Sequence, residues 1–232
     1  MLTIRKATDR GVTNFGWLDS KHTFSFGDYH DPKHTHFRTL RVINDDIIAG
    51  GGQFGSHPHR DMEIFTYVLS GSLEHQDSMG NGSVIRAGEW QFMSAGTGVM
   101  HSEANPSPTK PVHLLQMWVF PEQRNLKPSY AQKLFTDADK HGRWQTALSR
   151  DGRDGSMVIH QDATISVTKL GAGDKLAYDF AAKRGGWLHV ATGAVTANGH
   201  TLKAGDALAI EDVAKIELTG VELGEVLLFD LA

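Results

Sequence analysis

Residues 55–71 read GSHPHRDMEIFTYVLSG, and the first five decide how the rest is read. Two histidines stand one residue apart, with a proline between them, where an apolar β-branched run begins. Positions i and i+2 of a strand share a face, so His57 and His59 aim both imidazoles at one point. Downstream, MSAGTGVMHSEANPS (residues 93–107) supplies a second i, i+2 pair, His101 and Glu103. If both pairs open neighbouring antiparallel strands of a barrel, three imidazoles and one carboxylate converge inside it. That set leaves one or two positions of an octahedral ion open, the mark of a catalytic rather than a structural site. Pro58 tolerates its missing N–H at a strand start. Gly96 and Gly98 let the backbone turn sharply before His101. Glu63 is a rival ligand, because along an unbroken strand it keeps the parity of His57 and His59. Phe65 and Tyr67 share that parity and are candidate lining for a substrate pocket.

Composition narrows the chemistry. The 232 residues include no cysteine and thirteen histidines. Disulfides, thiolate catalysis and Cys-ligated metals are excluded, which leaves His and carboxylate ligands for any transition metal. The formal net charge is −4, so no basic footprint marks a nucleic acid or an anionic membrane as partner. The N-terminal residues MLTIRKATDRG lack an apolar signal core, and no run approaches the ~18 apolar residues of a membrane helix. A soluble, cytoplasmic protein is expected.

Short strand-like runs alternate with Gly, Asn, Asp and Pro turns, the pattern of an all-β sandwich or barrel. SYAQKLFTDADKHG (residues 129–142) is the best candidate for a short helix. A weak repeat joins LSGSLEHQDSMGNGSVIRAGEWQFM (69–93) to ATGAVTANGHTLKAGDALAIED (191–212). Both carry a glycine after the first strand, a small-residue hairpin, and RAGEW or KAGDA at the next turn. Two copies of one β module are expected, as domains 1–130 and 131–232. The polar stretch from Pro121 to about Arg153 is the expected link. His160, His189 and His200 of the second half are widely spaced, so the metal site is assigned to the first half and none to the second.

The framing residues carry a resemblance. Gly51 leads HPH and Glu63, and Gly88 leads Gly96-Thr97-Gly98, His101 and Asn105. These resemble the two motifs of the cupin superfamily. Gly71 falls one place late, and Gly96 stands where proline is usual. GWLDSKHTFSFGDYHDP, LRVINDD, HPHRDMEIFTYVLSG, EHQDSMGN and MSAGTGVMHSEANPS together look like the pirin family, over essentially the whole chain. The resemblance implies two cupin barrels of the double-stranded β-helix (jelly-roll-like) type, with few short helices. It implies His57, His59, His101 and Glu103 as metal ligands; with Glu103 in that set, Glu63 is read as a group behind the ligands that fixes an imidazole tautomer. The ion is one divalent transition metal, iron(II) first, with Mn, Ni, Cu, Zn and Co also acceptable to this donor set.

The same resemblance implies that the chain opens the flavonol ring of quercetin with dioxygen and releases carbon monoxide; Glu103, bound to the ion or swung off it, is the expected catalytic base. The alternative is a non-catalytic regulatory or protein-binding module in which the metal is structural or redox-sensing. A flavonol or similar aromatic, dioxygen and a possible protein partner are the expected ligands, and a monomer is expected because two cupin halves can cover each other. A second HxH, His34 and His36 in DYHDPKHTHF, sits in a turn-like context without glycine framing and reads as a solvated loop.

Overall fold

The computed structural model describes all 232 residues. Strands hold 57% of them and helix 4%, so the chain is all-β. In order come β1 (Leu2–Arg5), β2 (Gly11–Asn14), β3 (Leu18–His22), β4 (Leu40–Ile48), β5 (Gln53–His59), β6 (Glu63–Ser70), β7 (Ser72–Asp77), β8 (Gly82–Arg86), β9 (Glu89–Ser94), β10 (Val99–Ala104), β11 (Val112–Val119) and β12 (Ser129–Leu134). A single helical turn, α1 (Asp137–Lys140), precedes β13 (Gln145–Ser149), β14 (Met157–Val158), β15 (Ala163–Leu170), β16 (Lys175–Asp179), β17 (Gly185–Val190), β18 (Ala194–Ala197), β19 (His200–Lys203), β20 (Ala207–Ile210), β21 (Lys215–Glu222) and β22 (Gly224–Leu231). No helix is long and apolar enough to cross a membrane.

Two compact units result. One is Gly11–Leu134 with Ile159–Gln161; the other is Met1–Arg10 with Phe135–Val158 and Asp162–Ala232. They share the order of their central strands and differ at the edges of the larger sheet, where β2 and β3 are antiparallel but β13 and β14 are parallel. The first has a seven-stranded sheet, β12-β9-β6-β11-β4-β3-β2, and a four-stranded sheet, β5-β10-β7-β8. The second has β1-β20-β17-β22-β15-β13-β14 and β16-β21-β18-β19. The repeat seen in the sequence is β7–β9 against β18–β20. Gly88 and Gly205 make its matching turn, at φ of 85° and 82°, in the left-handed region that glycine enters without steric cost.

Residues 1–10 cluster with the second unit, not with residues 11–130. The cause is strand pairing: β1 lies antiparallel to β20, Leu2 opposite Ile210 and Ile4 opposite Leu208. Leu2 and Ile4 also pack on that unit's apolar core. In the first unit β12 takes the same edge position beside β9. The first six residues of the helix expected over 129–142 are therefore strand, because pairing along an open edge overrides a weak helical pattern. Only Asp137–Lys140 coil, behind a capping box of Thr136 and Asp139.

In the first unit, Leu18, Ile48, Val68 and Leu114 of the larger sheet pack on Leu73 and Ile85 of the smaller. The interior beyond that apolar end is polar, and the candidate site occupies it.

Candidate metal centre

Strands β5 and β10 are antiparallel neighbours, and their register sets His57 opposite His101. The ring centroids of His57, His59 and His101 lie 4.9, 4.4 and 4.8 Å apart. Their ligating nitrogens all fall within 4.8 Å of one another. The turn that delivers His101 depends on Gly96, whose φ is +42° and whose Cβ, if present, would sit 2.0 Å from the Leu126 carbonyl oxygen. Glu103 follows across a local register shift in β10. Its carboxylate lies within 4.8 Å of the His101 ring nitrogen, and it lines one cavity with His57 and His59.

The donor set fits a divalent transition metal. The His57 Nδ1–H donates to the Gly55 carbonyl at 2.8 Å, which leaves Nε2 as a lone pair. His101 Nε2 and Glu103 Oε1 are buried without a hydrogen-bond partner. Such groups are costly, and a cation satisfies both. Burial, then the neighbouring imidazoles, lowers His101 to about 2, and burial, then His57, lowers His59 to about 4. Both rings are therefore neutral at neutral pH, the state that metal binding requires. Burial pushes Glu103 up to about 7, against the hydrogen bond that Gln116 Nε2 donates to Oε2 at 2.7 Å.

His75 forms a second close group with His101 and Glu103, but both its nitrogens are engaged. Nε2 meets Asp77 Oδ2 at 3.2 Å. Nδ1 meets Gln91 Nε2 at 3.2 Å and His101 Nδ1 at 3.4 Å. With its Nε2–H given to Asp77, His75 accepts the His101 Nδ1–H, and the His101 Nε2 lone pair is then fixed toward His57 and His59. Asp77 is itself held by Asn81 and Met79. Partners of this kind typically govern metal affinity by about 10–100-fold. His75→Phe, which retains a ring to stack on Tyr130, is expected to weaken nickel binding by that factor in a competition titration with a chelator. An unchanged affinity would show that the chain does not orient His101.

Glu63, Phe65 and Tyr67 do not join this group. Strand β5 ends at His59, and Asp61 turns the chain at φ of 49° before β6 starts in the other sheet. The parity assumed across residues 57–67 is broken there. Glu63 instead accepts from Ser94 Oγ at 2.5 Å, from the His160 backbone N–H at 2.9 Å and from His160 Nδ1 at 3.0 Å. Phe65 and Tyr67 are buried, with Tyr67 stacked on Trp90 at 4.5 Å. They lie outside the cavity, and Thr66 between them takes the inner face. His34 bonds Asp31 and His36 bonds Thr35 in the loop between β3 and β4, apart from the trio.

The cavity measures about 510 Å³. Its walls include Phe15, Trp17, Leu18, Phe26, Phe54 and Trp118, with Trp118 edge-on to His59 at 4.9 Å. Sequence reading missed a polar row on the inner face of the larger sheet. Gln132, Gln91, Thr66, Gln116, Asn44 and His22 stand opposite one another across six strands. The second unit has leucine at three matching positions, Leu208, Leu188 and Leu228. Ile216 and Leu218 stand there where the first unit has His101 and Glu103. All five belong to that unit's apolar core. The fold is satisfied by an apolar interior, so the polar one belongs to the site. A lone glutamine inside HLLQMWVF or EWQFM was the available signal, since a buried polar residue is the informative kind.

Comparison with known proteins follows the same division. The family model described as Pirin matches residues 4–119, and the one described as Quercetinase C-terminal cupin domain matches residues 146–231. A protein of Escherichia coli (strain K12) named quercetin 2,3-dioxygenase is 50% identical over 231 residues, covering 100% of this chain and 99% of that protein. A putative quercetin 2,3-dioxygenase of Pasteurella multocida is 44% identical, with 100% of each chain covered. The crystal structure of bacterial pirin YhhW in complex with nickel(II), from Escherichia coli, superposes with a TM-score of 0.95 at 49% identity, covering 100% of this chain and 99% of that one.

Proposed function

The chain belongs to the pirin family, and from that premise we propose that it is a metal-dependent quercetin 2,3-dioxygenase. Dioxygen opens the central ring of the flavonol, and carbon monoxide leaves. The observation behind this proposal is the imidazole trio with Glu103 at one wall of an aromatic cavity. His57, His59, His101 and Glu103 would hold one divalent ion, and the nickel complex of the Escherichia coli pirin supports that. Iron(II) and manganese suit the same donors.

When bound, the ion supplies Lewis acidity that polarises the flavonol hydroxyl. The protein does the rest. Glu103 would swing off the ion to take the hydroxyl proton at Oε1, while Gln116 keeps hold of Oε2 and so retains the side chain. The Trp17–Phe54 and Phe26–Trp118 pairs meet edge to face at 5.1 and 5.3 Å. They give a planar ligand apolar walls and exclude water from it. Dioxygen is the oxidant, so the protein returns to its starting state after each cycle.

The test is to mix metal-loaded protein with quercetin without oxygen and then admit air. Flavonol absorbance should fall only after oxygen enters, stop on chelation, and leave carbon monoxide in the headspace. No turnover with iron, manganese, nickel or copper would remove the activity.

A further inference from the structure

Away from the histidines, the cavity floor is polar, and nothing in the metal chemistry uses that part of it. Strands β2, β3 and β4 set Thr13 opposite Ser20, Ser20 opposite Asp46, and His22 opposite Asn44. All five side chains line the cavity. Ser20, His22, Asn44 and Asp46 are each at most 3% exposed. One step along, the facing pair Leu18 and Ile48 is apolar and joins the core. The pairing therefore does not require polar residues, and burying them costs stability unless they are used.

They are also pre-arranged. The Ser20 hydroxyl donates to one Asp46 oxygen. His22 Nδ1 meets Asn44 Oδ1 at 2.8 Å, and His22 Nε2 meets Thr13 Oγ1 at 2.9 Å. These bonds fix the side chains while leaving acceptor capacity on Asp46 and both amide hydrogens of Asn44. An aromatic hydroxyl, one donor and one acceptor, matches that combination. The distance also suits a long ligand. Three strand spacings separate Gln116 on β11, which holds Glu103, from Thr13 on β2, and that is about 14 Å. A three-ring flavonol anchored near Glu103 extends along this floor.

Resting on the proposed flavonol activity, we propose that Ser20, Asp46, Asn44, His22 and Thr13 form a hydroxyl-reading subsite that selects polyhydroxylated flavonols over bare ones. Anaerobic titration of nickel-loaded protein with two flavonols tests it. Quercetin carries ring hydroxyls; 3-hydroxyflavone keeps only the hydroxyl at the reacting ring. Wild type should bind quercetin at least tenfold more tightly. Asp46→Asn and Ser20→Ala should each reduce that ratio to below about threefold, chiefly by weakening quercetin, with 3-hydroxyflavone held within twofold. If Asp46→Asn fails to fold, Ser20→Ala, which removes one hydroxyl, carries the test. Equal binding of the two flavonols by wild type, or a ratio unmoved in the variants, overturns the subsite. Because binding is read without oxygen, the result stands whether or not the air-dependent assay finds turnover.

Discussion

Replacing His101 with alanine is expected to leave a folded protein that no longer retains metal or turns over quercetin. His101 is the buried member of the trio, and the register sets it opposite His57. Its Nε2 is an uncommitted buried acceptor. Deleting the ring removes that liability, so folding does not suffer from an unpaired group. It also leaves two imidazoles, too few for the expected four-ligand set. The readout is thermal as well as catalytic. An ion present at 100 times its dissociation constant adds about 2.7 kcal/mol to the folded state, a rise in Tm of roughly 5–10 °C for units of this size. Wild type should show that rise with nickel and the variant should not. His34→Ala, in the loop histidine pair, should behave as wild type. Stoichiometric metal in purified His101→Ala would place the ion elsewhere.

Glu103→Gln should be the second large effect, with two opposite signs. Turnover should fall at least 100-fold, the usual scale for loss of a general base. Stability of the metal-free protein should rise at alkaline pH. The folded-state pKa of Glu103 is raised to about 7 from its ordinary 4.5, with burial the leading cause. Between those values the folded protein keeps a proton that the unfolded chain has released, so stability drops as pH climbs through the window. Above pH 7 the penalty is complete, up to about 3 kcal/mol at 1.36 kcal/mol per unit. Glutamine cannot ionise and escapes it. Urea melts of the metal-free proteins should coincide at pH 4 and separate by pH 8, with the variant more stable. The lowered pKa values of His59 and His101 act below pH 6.5 in the opposite direction, but in both proteins, and cancel in the comparison. Parallel curves at both pH values would mean that Glu103 carries no buried charge.

Much of the candidate site was legible because its signals are local. HPH and HSE are i, i+2 pairs, and strand parity alone puts each pair on one face. The repeat of RAGEW and KAGDA points to two copies of one module, and the central strands of the two large sheets agree in order, β9-β6-β11-β4 against β20-β17-β22-β15. What failed depended on distant partners. Glu63, Phe65 and Tyr67 were placed by a parity that holds only within one strand, and Asp61 ends that strand's direction. The row from Gln132 to His22 has no linear spacing, since each member comes from a different strand and only pairing register aligns them. The edge role of β12 was hidden for the same reason: its partner β9 lies some forty residues earlier.

Strand β1 gives the molecule a timetable. Leu2 is made well before its partner: the backbone it pairs with, at Ile210, is made about two hundred residues later. At roughly 5–20 residues per second on the ribosome, that is a wait of about 10–40 s. Meanwhile the unit that holds the histidines has everything it needs from Gly11 to Leu134, apart from Ile159–Gln161. The half that carries the histidine trio is therefore free to mature on the nascent chain, while β1 still waits for the strand it pairs with.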